Sequence, residues 1–235
     1  MRYTVALSLA LVGLILLGPL AAPAGAQAQQ KPTVQIPQPG VPQIMTLEGA
    51  YVRAAYNNEG YAILGYRLAN QNVGEEMMLL EFGVTLREGV KSYALTRDAL
   101  SIETPDGKTI PLMSTSDYRK ADLRALERQA TVIKDSINYF PPSARQGCRV
   151  GFFAELGSPA MSYDEVELSP QRACLGRLIF QVPGGIKYGQ HWLNVKFRDS
   201  LVRVPFRILT KEEDQLLSKN FKDIRKQVED AFKKK

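Results

Sequence analysis

The chain has 235 residues, 45% of them hydrophobic and 23% charged, with 30 Lys+Arg against 24 Asp+Glu for a net charge of +6. This supports one sizeable domain with a real core. The basic excess is spread along the chain, which argues against a nucleic-acid partner, and the one histidine confines any histidine-based mechanism to a single position.

Arg2 opens the chain with a positive charge. An apolar run extends from Val5 through Leu17, Gly18-Pro19 breaks it, and small residues follow from Ala21 to Ala28. That order reads as a secretory signal peptide over residues 1–28, cleaved after Ala26 or Ala28. The run is shorter than the roughly 20 residues of a spanning helix. The expected location is therefore a bacterial periplasm or the exterior. Residues 29–45 form a Pro/Gln-rich linker with Pro32, Pro37, Pro39 and Pro42. Its composition favours extended chain, read either as a spacer or as an unstructured mature N-terminus.

A β-domain is expected over residues 46–210. Ala62, Leu64, Tyr66 and Leu68 share one parity, and Met78, Leu80, Phe82, Val84 and Leu86 share another, the period of half-buried strands. Asn57-Asn58-Glu59-Gly60 and Asn70 to Gly74 read as turns. Leu100 to Glu103 and Thr109 to Leu112 flank Pro105-Asp106-Gly107-Lys108, a hairpin signature. Tyr51, Tyr56, Tyr61 and Tyr66 lie close together in sequence. They are strand formers that could also present an aromatic strip to a glycan or peptide.

The period changes near residues 116–137. Leu123, Leu126, Ala130, Ile133 and Ile137 form one helical stripe, with Ser116 as the expected cap. Pro141-Pro142 ends the helix. Strands resume with Val150, Phe152, Ala154 and Leu156, then Val166 to Leu168, Cys174 to Val182, His191 to Phe197 and Leu201 to Leu209. Pro205 marks the last as an edge strand.

Cys148 and Cys174 are an isolated pair, read most simply as one disulfide in an exported chain. Its loop of about 26 residues is worth about 3.5 kcal/mol in the chain-entropy model. A zinc pair would want short spacing such as C-x-x-C. Both sulfurs share parity with inward residues, so the bridge is expected between strands, closing two layers.

Residues 211–235 read as a C-terminal amphipathic helix. Thr210 with Glu213 makes a capping box, and Leu217, Phe221, Ile224, Val228 and Phe232 form its apolar stripe. The stripe is the candidate partner-binding surface. It could pack on the domain, dock a partner, form a homo-oligomer or lie on a membrane face.

Few motifs carry chemistry. His191 shares parity with inward Leu193, Val195 and Phe197, while Trp192 faces outward with Asn194 and Lys196. There is no G-x-S-x-G elbow, no Gly-rich phosphate loop and no H-E-x-x-H. Asp164, Glu165 and Glu167 cluster near Tyr163, and Glu75-Glu76 form a second pair. Their proximity in sequence says little about the carboxylate separation a glycosidase needs. No catalytic residue, metal ligand or cofactor is assigned.

Gly176-Arg-Leu-Ile-Phe-Gln-Val-Pro183, then His191-Trp-Leu-Asn-Val-Lys-Phe197, together with the Asp106-Gly107 hairpin, resemble the late strands of secreted bacterial immunoglobulin-like domains of unknown function. The likeness covers about half of the mature chain. It implies an antiparallel β-sandwich and an extracytoplasmic adhesive, binding or assembly role, and it brings no catalytic residues. The two helical segments are additions to a plain domain of that type. The expected fold is thus mainly β, an immunoglobulin-like antiparallel sandwich with an inserted helix and a C-terminal amphipathic helix. The expected function is an exported non-enzymatic binding or envelope-assembly module, with another envelope protein or a glycan as partner. The rival is a secreted hydrolase acting through acidic residues or His191. A purely structural envelope protein is the third reading.

Overall fold

Most of the alternating segments are strands. The computed structural model describes residues 43–154 and 161–220, all within the unit spanning residues 37–235. Strands β1 (Ile44–Gly49), β2 (Val52–Tyr56) and β3 (Gly60–Gly65) lead through a short helix, α1 (Arg67–Gln71), to β4 (Met77–Leu86). Next come β5 (Tyr93–Thr96), a 3-10 turn at Arg97–Ala99, and the hairpin of β6 (Leu100–Glu103) and β7 (Thr109–Pro111). Helices α2 (Thr115–Lys120) and α3 (Arg124–Val132) follow, and then β8 (Gln146–Val150), β9 (Glu165–Leu168), β10 (Arg172–Gln181), β11 (Gly189–Lys196) and β12 (Leu201–Ile208). Residues 211–220 are helical and are labelled α4. The expected signal segment and most of the linker lie outside the described residues; β1 begins at Ile44.

The protein is mainly β, with several sheets. Six strands order as β1-β2-β3-β4-β10-β8, four as β12-β11-β6-β7, and β5 pairs with β9 alone. Every pairing is antiparallel except β8 with β10. The inward residues of the two larger sheets share one core. Met78, Leu80, Phe82, Val84 and Leu86 of β4 are fully buried, as are Val202, Val204 and Ile208 of β12. Pro205 lies on β12, an edge strand as expected, where its missing N–H disrupts no ladder. The Gln43 side chain satisfies the free edge of β12 further along. Its amide accepts from Arg203 N at 2.7 Å and donates to Arg203 O at 2.5 Å.

The second face of β4 is also covered, which simple alternation does not predict. Leu79 and Thr85 are buried there. A smaller cluster of Val52, Ala54, Ile63 and Ile137, joined by Phe140 and Leu175, lies on this outer side. Residues 133–142 cross it as an extended strap. Asp135 anchors the strap by accepting from Arg67 N at 2.9 Å and from Arg67 Nε at 3.0 Å. Arg177 holds α3 from below, donating to Ala130 O at 2.9 Å beside Glu81 at 3.5 Å. Burial pushes the Glu81 carboxyl above the usual range, against the pull of Arg177.

Three expectations are corrected. The single helix over 116–137 is two helices, capped by Ser114 and not Ser116: Ser114 Oγ accepts from Asp117 N at 3.1 Å. A continuous helix would set Tyr118 and Leu123 about 140° apart around the axis. The break at Ala121 lets both turn inward, Tyr118 onto Phe153 at 5.0 Å between ring centres and Leu123 into the core. Ile133 and Ile137 belong to the strap and not to the helical stripe. Second, the strand at Val150 stops there, and Phe152 and Phe153 are both buried without alternation. Third, the Cys148–Cys174 disulfide does form, but it joins neighbouring strands of one sheet. The two residues are register partners in the parallel β8–β10 pair, with Cα atoms 4.1 Å apart. The bridge therefore pins edge strand β8 to its sheet and does not tie layer to layer. Cys174 is fully buried and Cys148 half-buried.

Candidate functional site

The chemistry-bearing residues singled out in the sequence are placed first. His191 is fully buried. Its Nδ1 lies 3.0 Å from Gly189 O, so Nδ1 carries the proton, and its ring stacks on Phe206 at 5.2 Å. Nε2 has no hydrogen-bond partner. Burial holds the imidazole below its usual range, that is, neutral. The cavity beside it, bounded in part by Thr104, Asp106 and Lys187, measures about 10 Å³ and admits no substrate.

The acidic cluster stays at the surface: Asp164, Glu165 and Glu167 are all exposed, as are Glu75 and Glu76. Asp164 accepts from Thr115 Oγ1 at 2.9 Å and from Arg97 Nε at 3.2 Å. The Thr115 hydroxyl and then Arg97 hold its carboxyl below the usual range. Glu167 pairs with Arg172 at 2.9 Å. The tyrosines do not form an open strip. Tyr66 is fully buried and burial pushes its phenol up to about 12. Tyr51 meets it edge-on at 5.6 Å, while Tyr56 and Tyr61 stack across the β2–β3 hairpin at 4.6 Å. Trp192 is covered by the Arg203 guanidinium at 4.7 Å, which also reaches Glu103 at 2.5 Å.

The C-terminal helix starts as its sequence indicates. Glu213 N donates to Thr210 Oγ1 and Glu213 Oε2 accepts from Thr210 N, at 3.3 and 3.0 Å. Arg207 with Glu213, and Tyr51 with Asp214, fasten the first turn to the domain. Leu217 is half-buried. Phe221, Ile224, Val228 and Phe232 lie outside the described residues. Among the described residues no helix is long and apolar enough to cross a membrane, and no group of three or more His, Cys, Asp or Glu could hold a metal.

Several openings lie at the surface, among them one of about 430 Å³ at the α2–α3 junction and one of about 350 Å³ beside β7; the one that runs along a strand lies between β5 and the end of β11. It has a volume of about 440 Å³ and is lined by residues 93–96, Asp98, Ala99 and 196–198. It exists because β5 leaves the line of β6. Strand β6 pairs with β11 only as far as the Leu100–Val195 pair. One turn earlier in the chain, β5 pairs with β9 instead. Arg97 fixes that divergence. Its guanidinium donates to Met113 O at 2.8 Å, Phe152 O at 2.5 Å and Tyr163 O at 3.1 Å. It also covers the Phe152 and Phe153 rings at 5.4 and 4.9 Å. Its own N–H donates to Asp164 O at 3.0 Å, in register with the β5–β9 ladder.

The floor and closed end of the groove are rigid. Leu95 and Phe197 are buried beneath it. A Cβ on Gly60 would come within 2.5 Å of the Phe197 ring, so only glycine lets this ring seat. At the closed end Arg198 lies 4.1 Å above the Tyr93 ring and its N–H donates to Tyr93 Oη at 3.2 Å. Glu59 organises the pair from below. It accepts from Tyr93 Oη at 2.8 Å, from Asp199 N at 3.2 and 3.1 Å, and from Ser200 Oγ at 2.7 Å. Burial, reinforced by this carboxylate, raises the Tyr93 phenol well above the usual tyrosine range, so it stays an O–H donor. Lys196 and Arg198 are exposed on the β11 wall, and Asp98 on the β5 side is met by the Thr96 hydroxyl.

Sequence reasoning missed this groove. The alternation along β11 sets Lys196 outward, but nothing local marks Tyr93, Thr96 or Arg198 as sharing a site with it. No family model matches the chain, and neither a curated protein nor a solved structure matches it.

Proposed function

We propose that the chain is an exported, non-enzymatic binding module built on an immunoglobulin-like sandwich, and that it holds its partner in the groove between β5 and the end of β11. The observation that carries this reading is a contrast in access. The one histidine is sealed in the interior, and the exposed Asp164 and Glu167 each pair with an arginine at the surface. The groove instead has a rigid floor, exposed cations and room for a ligand. The oxidised Cys148–Cys174 pair fits an exported chain.

A photo-crosslinking amino acid placed at Thr96, compared with one at exposed Tyr188 in the native host, tests the proposal. A discrete adduct from position 96 and none from 188 is expected. Equal labelling at both positions, or adducts only from positions on α4, would move the binding surface elsewhere. Intact mass of the exported chain, with residues 1–26 or 1–28 absent and both thiols oxidised, tests the location.

A further inference from the structure

Strand β5 has a free edge, and the groove lies along it. In an antiparallel pair, residues alternate between those whose N–H and C=O bond to the partner and those whose groups point away. The bond from Arg97 N to Asp164 O places Arg97 among the former. With the Leu95–Val166 and Tyr93–Leu168 register, Leu95 and Tyr93 also face β9. The N–H and C=O groups of Ala94 and Thr96 therefore point the other way. Among the described residues no strand pairs with β5 on that side. Both residues are exposed.

We infer that the groove accepts an extended, acidic peptide segment of a partner protein, which adds to β5 as a third strand. The inference rests on the binding-module reading and names its ligand class. Ala94 supplies a donor and an acceptor and Thr96 a second donor in the spacing a strand requires, while the Thr96 carbonyl caps the 3-10 turn at Arg97–Ala99. Affinity comes from that ladder. Selectivity comes from the opposite wall, where the exposed Lys196 and Arg198 outnumber Asp98, the carboxylate on the β5 side, which keeps its charge when it accepts from the Thr96 hydroxyl. Carboxylates on alternate residues of the incoming strand would meet these cations. A basic segment would meet them with repulsion. The buried floor of Leu95 and Phe197 gives the inward side chains an apolar seat.

Hydrogen exchange on the full exported chain, with the blocked hexapeptides EVTVEV and KVTVKV as probes, tests this. In the free protein the Leu95 amide is expected to exchange slowly, with those of Ala94 and Thr96 fast. The acidic peptide should slow Ala94 and Thr96 at least tenfold. It should bind several-fold tighter than the basic one, and the difference should shrink with added salt. Ala94→Pro removes the donor that faces the groove and leaves the β9 ladder intact. It should weaken the acidic peptide at least tenfold while Leu95 stays protected. Lys196→Glu should reduce or reverse the charge preference. Protection elsewhere, or unchanged binding by Ala94→Pro with Leu95 still protected, would overturn the inference. So would the absence of protection at saturating peptide in the native protein, which needs no variant to fold. If position 96 still crosslinks in the host while the peptides give no protection, strand addition fails and the module reading survives. If neither occurs, both fail.

Discussion

The two ends of β11 differ in what they expose, and the difference has a structural cause. At its first end, His191 sits between Gly189 O and the Phe206 ring with about 10 Å³ of space beside it. At its last end, Lys196 and Arg198 border a groove of about 440 Å³. The same alternation runs through both, inward at His191, Leu193, Val195 and Phe197. The first end is flanked by β12 and, from Trp192 onward, by β6. At the last end one flank is missing, because β5 has turned away to β9. Reactivity of side-chain type therefore says little about where a ligand can reach; strand pairing decides it.

The largest expected effect tests whether the open end is an extension of the core. Phe197 is 2% exposed although it lines the groove. Phe197→Ala should cost about 3–5 kcal/mol in urea unfolding. A loss below about 1 kcal/mol would mean that the groove floor is loosely packed and that the two ends differ in rigidity as well as access. Next comes Glu59→Gln, which keeps the shape but turns an NH2 toward groups that donate. Four hydrogen bonds converge on the Glu59 carboxylate, and hydrogen bonds to charged groups are worth about 1.5–3 kcal/mol each when a partner is lost. A net loss of about 2 kcal/mol is expected, with faster amide exchange at Arg198 and Asp199 and none of the change at Gly189 or His191. Equal loosening at both ends would dissolve the comparison.

Much of the fold was legible because alternation and burial coincide. On β4 every residue of the predicted parity is buried, joined by Leu79 and Thr85 of the other face, and on β12 burial alternates from Val202 to Ile208. The β6–β7 hairpin follows from Asp106-Gly107, with Gly107 at φ 78°. Reading failed where a residue's position depends on a distant segment. The outer cluster beside β4 is completed by a strap from residues 133–142, whose Ile133 and Ile137 prolong the helical spacing of the stripe although α3 ends at Val132. The cap at Ser114 was missed because Ser116 stands closer to the stripe, although Ser114 has the three-residue spacing to Asp117. The groove depends on β5 choosing β9, some seventy residues downstream, and on Arg97, whose guanidinium gathers carbonyls from three segments. No local pattern encodes either choice.

The smallest effect concerns the sealed end and is a slope, not a step. Burial lowers the folded His191 pKa below its ordinary 6.5. The unfolded chain therefore takes up a proton more readily than the folded one below about pH 6.5, and stability falls as pH drops through that window. One proton gives at most about 1.4 kcal/mol per pH unit. Glu81 acts with the opposite sign. Its raised folded pKa means that stability is lost as pH rises above 4.5 toward that folded value, so the two slopes oppose each other where their windows overlap. Chemical unfolding of the native chain, His191→Phe and Glu81→Gln between pH 7.5 and 4.5 separates them. His191→Phe should lose the part of the acid-side decline that begins below pH 6.5, and Glu81→Gln should steepen what remains. Retention of the full decline in His191→Phe would mean that other groups cause it and that the folded imidazole binds its proton as readily as the unfolded one. Burial would then not desolvate His191, and the contrast between the two ends of β11 would be one of degree.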